Sequence, residues 1–178
     1  MADAAASDLL YTALMLRKLH ERPGFGRVLD AGAEGRYRAV LAEHLPGAVW
    51  IDAEEAWAPV LGELRLRWSG ERLGCTDIRV AAAAVAGVDL ALFGEVFEHL
   101  EPEDALALAG AWVGHTPLVL IALPAALPVG AALPGLAARF VAGSVAVCWL
   151  TADVGRARQV AQLHEAVSGI VQRMTGGR

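Results

Sequence analysis

Residues 27–36 read Arg-Val-Leu-Asp-Ala-Gly-Ala-Glu-Gly-Arg, a short apolar run that passes through an acid into glycine. A run of this kind predicts a buried strand, Arg27–Asp30, that ends in a turn. Glycines directly after a first strand let the backbone approach a ligand at the start of the following helix. The stretch therefore indicates a fold in which strands alternate with helices, and a place where such a fold would bind a ligand.

The segments on either side continue this alternation. Apolar residues at helical spacing predict helices at 5–20, 37–45, 54–64, 102–113 and 152–173, the last of them capped by Thr151. Apolar runs predict strands at 48–52, 88–93, 117–123 and 144–150. Residues 66–76 are mixed, and 78–85 fit a strand or a helix. Unbroken apolar strands between helices favour a single doubly wound α/β domain with a mainly parallel sheet and helices on both faces.

The composition excludes several classes of function. A chain of 178 residues suits one domain, and its mean hydropathy of +0.44 rules out disorder as a description of the whole. Lys and Arg total 15 against 20 Asp and Glu, for a net charge of −5, and no basic run appears. No nucleic-acid partner is therefore expected, because such a partner requires a basic face.

The sequence also predicts a cytoplasmic protein without a membrane span. Residues 1–8 lack the basic start of a signal peptide, and Cys75 and Cys148 lie far apart without zinc-ligand spacing, which suits reduced thiols. Residues 105–138 carry no Asp, Glu, Lys or Arg, but several prolines interrupt them. A broken backbone is not tolerated in lipid, so this stretch is expected to be buried in the protein.

Three acid-bearing segments follow predicted strands, and in an open parallel sheet ligands bind beyond the carboxyl ends of the strands. The first is 30–36. The second is Asp52, 22 residues after Asp30, at the end of the next strand, where a carboxylate can accept both hydroxyls of a ribose. The third is 94–100. Their common spacing relative to the strands predicts one site at one edge of the sheet.

Together these segments resemble the class I S-adenosylmethionine-dependent methyltransferases. Residues 28–36 are similar to the first motif of that family, and Ile51-Asp52 to its second acidic position. Residues 88–100, Val-Asp-Leu-Ala-Leu-Phe-Gly-Glu-Val-Phe-Glu-His-Leu, are similar to its fourth motif. The resemblance covers about 27–124 and, more loosely, 145–160.

The resemblance implies a Rossmann-like methyltransferase fold that holds S-adenosyl-L-methionine, the methyl donor, across the strand tips. Asp30 and Gly32 would lie near the amino-acid end of the donor, and Asp52 would hold its ribose. Asp77 would approach the adenine, and Glu95 would lie near the methionine part.

The glycine loop departs from the family pattern Asp-x-Gly-x-Gly-x-Gly. Without a gap, Glu34 and Arg36 stand at glycine positions. With one residue deleted, Gly35 matches the last glycine and becomes a donor-binding candidate, while the middle glycine is missing. A side chain where only backbone should pass can fill the space of the donor, so whether the chain is an enzyme stays open at this stage.

Glu95 and His99 are the candidate catalytic residues. They are four residues apart and could share a helix face if a helix begins there. Histidine has an ordinary pKa of about 6.5, which suits a general base. No second cluster of ligands accompanies the pair, so no metal site is predicted.

Two hypotheses of function remain. The first is a methyltransferase that acts on a small-molecule acceptor. The second is a non-catalytic methyltransferase-like domain that acts through association, as a homo-oligomer or with a protein partner, for which Glu34 and the apolar stretch 123–145 are the motive. In either case 1–22 would be an N-terminal helix, 27–124 the donor-binding core, 125–143 an apolar loop or lid, and 144–178 a late strand and C-terminal helix.

Overall fold

The computed structural model describes residues 4–21, 24–31, 40–58, 63–68, 76–77 and 87–176. Within these ranges lie three α-helices: α1 (Ala4–His20), α2 (Pro102–His115) and α3 (Val154–Gly176). Short 3-10 turns occupy Ala42–His44, Phe97–His99 and Pro128–Ala131. The predicted helices 5–20, 102–113 and 152–173 are thus confirmed within a few residues. Of the helix predicted at 37–45, Val40 and Leu41 are helical, and 37–39 lie outside the described residues.

Eight strands in the described residues form one sheet in the order β4-β3-β2-β1-β5-β6-β8-β7. Their bounds are Arg27–Ala31 for β1, Val49–Ala58 for β2, Glu63–Trp68 for β3, Thr76–Asp77 for β4, Leu90–Gly94 for β5, Leu118–Pro124 for β6, Leu136–Ala142 for β7 and Val145–Leu150 for β8. The central strands β2, β1, β5 and β6 are parallel. β3 and β8 run against them, and the outer strands β4 and β7 return to the central direction. The α/β class with a mainly parallel sheet is confirmed.

Each face of the sheet buries its own apolar layer, because successive strand residues point to opposite faces. On one face Leu29, Phe93 and Ile121 pack under Trp112 of α2. On the other, Leu90, Leu120 and their neighbours pack under α1 and α3. Helices therefore cover both faces, as the unbroken apolar strands predicted.

The helix predicted at 54–64 is wrong for the residues that the structure describes there, because 54–58 and 63–64 are strand. β2 continues through Ala58 and β3 returns antiparallel from Glu63, so the chain makes a hairpin there. The register places Glu54 opposite Arg67 and Trp57 opposite Leu64. Strand pairing with β3 therefore overrides the helix propensity of an Ala- and Glu-rich run.

Residues 125–143 correct a second prediction, since they are not a loop or lid throughout. Leu136–Ala142 form β7, which pairs with β8 across the two-residue turn Gly143–Ser144. Gly143 has φ +58, as the first position of such a tight hairpin requires. Val129, Leu133 and Phe140 of this stretch are buried within the chain, whereas Val141 is exposed.

The cap of α3 is a third correction. Asp153, not Thr151, precedes the first helical residue, and its Oδ1 accepts the Arg156 N–H at 2.6 Å. Thr151 instead ties two segments together, because its hydroxyl donates to the Pro117 carbonyl at 2.7 Å and accepts the Asp153 N–H at 3.1 Å. No helix among the described residues is long and apolar enough to cross a membrane.

Candidate functional site

The carboxyl ends of β1 and β5 meet at one edge of the sheet. The register pairs Ala31, the last residue of β1, with Phe93, the last but one of β5. β1 ends at Ala31 and β5 at Gly94, and ligand sites in parallel sheets lie beyond the carboxyl ends of such strands. The candidate residues are placed relative to this edge.

Asp30 lies next to the end of β1 and is 1% exposed. Aspartate is almost never buried to this degree unless it is paired. The register sets Asp30 beside Asp52 of β2 on one side and beside Leu92 of β5 on the other. The two acids that the sequence singled out therefore occupy adjacent strand positions at the edge.

Asp52 nevertheless lies inside its strand, and the expectation that it ends the second strand is wrong. β2 runs from Val49 to Ala58, and the residues after Ala53 extend past the last residue of β1. At about 3.3 Å per residue this hairpin arm rises roughly 17 Å beyond the tip of β1. The edge therefore has a wall on its β2 side that the sequence did not predict.

Glu95 follows β5 directly and has φ +58, the left-handed region that favours glycine. It is the one residue other than glycine with positive φ in the described ranges. Holding a side-chain residue there costs about 1–2 kcal/mol, and such costs are typical of functional sites. The Glu95 side chain is exposed, directly after the carboxyl end of β5.

Phe97 explains how this backbone conformation is held. Its ring is 1% exposed and lies edge-on against Phe93, with 5.8 Å between ring centroids. Val96 beside it is fully buried. Since these two side chains return to the core directly after the strand, the chain must turn sharply at Glu95.

His99 ends the 3-10 turn Phe97–His99 and is exposed, with its N–H donating to the Val96 carbonyl at 3.2 Å. The α-helix begins only at Pro102. Glu95 and His99 could share a helix face only if a helix began at Glu95, and that condition is not met, because no α-helix connects them. Both residues still follow the same strand tip.

The other predicted donor-binding residues are not all brought together. Asp77 lies on β4, the outermost described strand on that side of the sheet, opposite Arg65 of β3. Two strands separate β4 from β1, which at about 4.8 Å per step puts its backbone roughly 14 Å away. Gly32 and Gly35 lie outside the described residues, as does Glu34. No group of three metal-ligating side chains occurs in the described part of the chain.

Asp89 belongs to residues 88–100, the stretch similar to the fourth motif, and its contacts could not be predicted from the sequence. Its Oδ2 accepts the N–H groups of Gly26 at 2.8 Å and Arg27 at 3.0 Å, and its own N–H donates to the Arg27 carbonyl at 2.9 Å. These bonds fasten the start of β5 to the start of β1. Asp89 is therefore a structural residue at the edge opposite the candidate site.

Other titratable groups are buried away from this edge. Tyr11 of α1 and His164 of α3 approach to 2.8 Å between Oη and Nδ1. Burial raises the pKa of Tyr11, and burial lowers the pKa of His164, against a smaller opposing effect of Glu165. Burial also raises the pKa of Cys148 to about 11, although Arg139 acts against it, so the thiol stays neutral and unreactive.

The tryptophans whose side chains are described fit core packing. Trp112 and Trp149 are fully buried, one under each face of the sheet. Trp112 also lies edge-on to Phe93, with 5.3 Å between ring centroids. A buried Trp149 has no free face for stacking a substrate.

Comparison with known proteins supports the architecture. No family model matches the chain, and no curated protein matches it. Among solved structures, the chain is similar to the mitomycin 7-O-methyltransferase MmcR, with a TM-score of 0.49 and 14% identity over 80% of this chain and 54% of that one. It is also similar to WbdD in complex with the kinase inhibitor LY294002, with a TM-score of 0.50 and 19% identity over 83% of this chain and 40% of that one.

The chain thus spans about half the length of the first of these structures and less of the second. At such identity the likeness concerns the fold alone, and it carries no residue roles from either protein. What the chain shares with WbdD is the α/β arrangement described above.

Proposed function

We propose that this chain is an S-adenosylmethionine-dependent methyltransferase domain that acts on a small molecule. The observation that carries the proposal is that Asp30 and Asp52 are paired in register near the carboxyl end of β1, next to the strand β5 that Glu95 follows. Asp30 is buried next to the end of β1, Asp52 lies beside it within the longer strand β2, and Glu95 follows the end of β5 with a strained backbone. The motif resemblance and the fold support the same function.

The acids suit the chemistry of the donor. Carboxylates accept hydrogen bonds from an ammonium group and from paired ribose hydroxyls, and hydrogen bonds between ions and polar groups are the stronger class. Asp30 and Asp52 would hold the donor in this way, and the short turn after β5 would orient it. When bound, S-adenosylmethionine supplies a methyl group on a positively charged sulfur.

The remaining task of the chain is to align an acceptor and remove its proton. Rate in such a reaction comes mainly from holding the two partners in line at close approach. Glu95 and His99 are both exposed beyond the tip of β5, where either can accept a proton from the acceptor. The hairpin arm of β2 and β3 would limit the entry of water from one side.

Titration calorimetry with S-adenosylmethionine tests the proposal. The wild type is expected to bind, and Asp30→Asn is expected to bind about 10-fold to 100-fold more weakly, as the loss of one charged hydrogen bond implies. Asp153→Asn is the matched control: it removes a carboxylate next to β8, whose end lies at the opposite edge, and asparagine caps a helix equally well.

Circular dichroism shows whether each variant is folded before its titration is interpreted. Absence of heat with the folded wild type at millimolar donor would remove the proposal. Equal affinity of wild type and Asp30→Asn would remove Asp30 from the site.

A further inference from the structure

One row of paired residues runs across the sheet at the level of the candidate site. The registers of five neighbouring strands place these residues side by side: Ala31, Phe93, Ile121, Cys148 and Arg139. Residues that are paired in this way point to the same face of a sheet, and the first four belong to the apolar layer under α2. Arg139 is therefore a charged residue at the β7 end of an otherwise apolar row.

The guanidinium of Arg139 lies at the carboxyl end of β6. Its Nη2 donates to the carbonyl of Ala125, the residue after β6, at 3.1 Å. β6 pairs with β5, which Glu95 follows, and Gly94 lies level with Ala122. Ala125 is three residues further on, so at about 3.3 Å per residue and 4.8 Å between strands it lies roughly 11 Å from Gly94. A small molecule bound beyond the tips of β5 and β6 would thus have Glu95 near one end and this guanidinium near the other.

The positive charge of Arg139 is not balanced by a negative charge in the described part of the chain. The side chain is partly buried, its Nε is buried without a hydrogen-bond partner, and no ion pair joins it to a described acid. Cys148 beside it has a pKa of about 11, so it is a neutral thiol at pH 7. Burying a charge is costly unless it is paired, and a guanidinium offers five N–H donors in a fork that matches carboxylate and phosphate. The arrangement therefore leaves a charge and donors for an anion.

The 3-10 turn Pro128–Ala131 encloses the guanidinium on one side. Gly130 of this turn allows the close approach, since a Cβ at this position would lie 3.2 Å from Leu123 and 3.7 Å from Nε of Arg139. Because the turn keeps water from Nε, the attraction of this charge for an anion is stronger than on an open surface. Holding the Ala125 carbonyl requires a donor but no charge, so that bond alone does not account for an arginine.

We propose that Arg139 binds an anionic group of the methyl acceptor, a carboxylate or a phosphate ester, while the nucleophile of the acceptor lies at Glu95. This inference rests on the proposed function, because it names the class of acceptor for the same site. The chain has a net charge of −5, and the other charged candidates at the carboxyl ends of the strands are acids, which repel an anion. Arg139 therefore determines which end of the acceptor is held at β6 and which end reaches β5.

Titration calorimetry with three small probes tests this inference without the donor. Benzoate and phenyl phosphate carry the two anions, and benzamide is the neutral counterpart of benzoate. The wild type is expected to bind at least one anion with a Kd on the order of millimolar, as suits a ligand of about ten atoms, and about tenfold or more tighter than benzamide. Arg139→Gln keeps a donor for the Ala125 carbonyl but removes the charge, so the preference for the anion should be lost. Comparison of benzoate with phenyl phosphate identifies which anion the site prefers.

Arg158→Gln is the matched control, since Arg158 is an exposed arginine of α3, on the opposite face of the sheet, and it should bind the anions as the wild type does. Thermal melts establish that the variants are folded, and the wild-type preference over benzamide decides alone if Arg139→Gln does not fold. A wild type that binds neither anion at about 10 mM, or benzamide as tightly as both, overturns the inference. So does a folded Arg139→Gln that keeps the preference.

The donor titration separates this inference from the proposed function. Binding of S-adenosylmethionine without binding of either anion would remove the anionic acceptor and leave the methyltransferase. Anion binding that depends on Arg139, without donor binding, would remove the methyltransferase and leave an anion site.

Discussion

Glu95 allows the strain at the candidate site to be separated from its chemistry. Replacing it by glycine or by alanine removes the carboxylate and all its contacts in both cases. The two variants then differ in how well they tolerate φ +58. At an ordinary position glycine is less stable than alanine by about 0.5–1 kcal/mol.

At this position the order should reverse. The left-handed conformation costs alanine about 1–2 kcal/mol and glycine almost nothing, which exceeds the backbone entropy that glycine loses. Glu95→Gly should therefore be more stable than Glu95→Ala by about 0.5–1 kcal/mol. For a chain of this length the difference corresponds to about 1–4 °C in Tm.

Thermal unfolding followed by circular dichroism measures the order, and Glu103 supplies the reference. Glu103 lies in the first turn of α2, so Glu103→Gly should be less stable there than Glu103→Ala. Both Glu95 variants should bind S-adenosylmethionine more weakly than the wild type. If Glu95→Ala proves the more stable of the pair, the strain reasoning is refuted; if both retain full affinity, the carboxylate has no part in binding.

Three further outcomes follow from contacts away from the edge. Asp89→Ala removes the acceptor of two main-chain N–H groups and should lower the free energy of unfolding by about 1–3 kcal/mol in urea melts. Asp153→Ala should cost about 1 kcal/mol by loss of the α3 cap, whereas Asp153→Asn should cost almost nothing. Because burial lowers the pKa of His164 below 6.5, the unfolded chain takes up that proton first, and stability should fall as pH drops through 6.5. His164→Gln should flatten this pH slope, and an unchanged slope would contradict it.

The central strands could be predicted from the sequence because strands that are buried on both faces have continuous apolar sequences. β5 and most of β6 are buried at every position, so their sequences are continuous apolar runs. A strand covered on both faces has no solvent-exposed side, so polar residues do not interrupt its apolar run. The same cause made the mainly parallel sheet and the covering helices predictable.

The β2–β3 hairpin could not be predicted from residues 54–64 read alone. Those residues combine helix-favouring alanine and glutamate with Pro59 and Gly62, which are turn signals, and helix propensity is only a weak prior. What decides the structure is pairing with 63–68, where Leu-Arg-Leu-Arg-Trp alternates strictly. That alternation is the signal that could have identified the hairpin.

β7 escaped prediction for a different reason. It alternates buried and more open positions, but three of its residues are alanine, which gives almost no contrast between the faces. Its turn is more readable, since Gly143 is followed by a polar residue between two apolar runs. The candidate site shows the same contrast between local and tertiary signals. The position of Asp30 could be predicted from its strand. The conformation of Glu95 depends on the packing of Phe97 against Phe93, which the local sequence does not reveal.

The amino ends and the carboxyl ends of β1 and β5 are connected through the register of these two strands. Asp89 fastens β5 to β1 at their amino ends, and the register that follows brings Phe93 level with Ala31 and Leu92 level with Asp30. A slip that kept each side chain on its own face would have to move β5 by two residues, about 6.6 Å. Glu95 would then no longer follow the strand at the level of the buried acid. Asp89 therefore contributes to stability by fixing the register of β5. Where Asp89→Ala folds with that register kept, its affinity for the donor should equal that of the wild type.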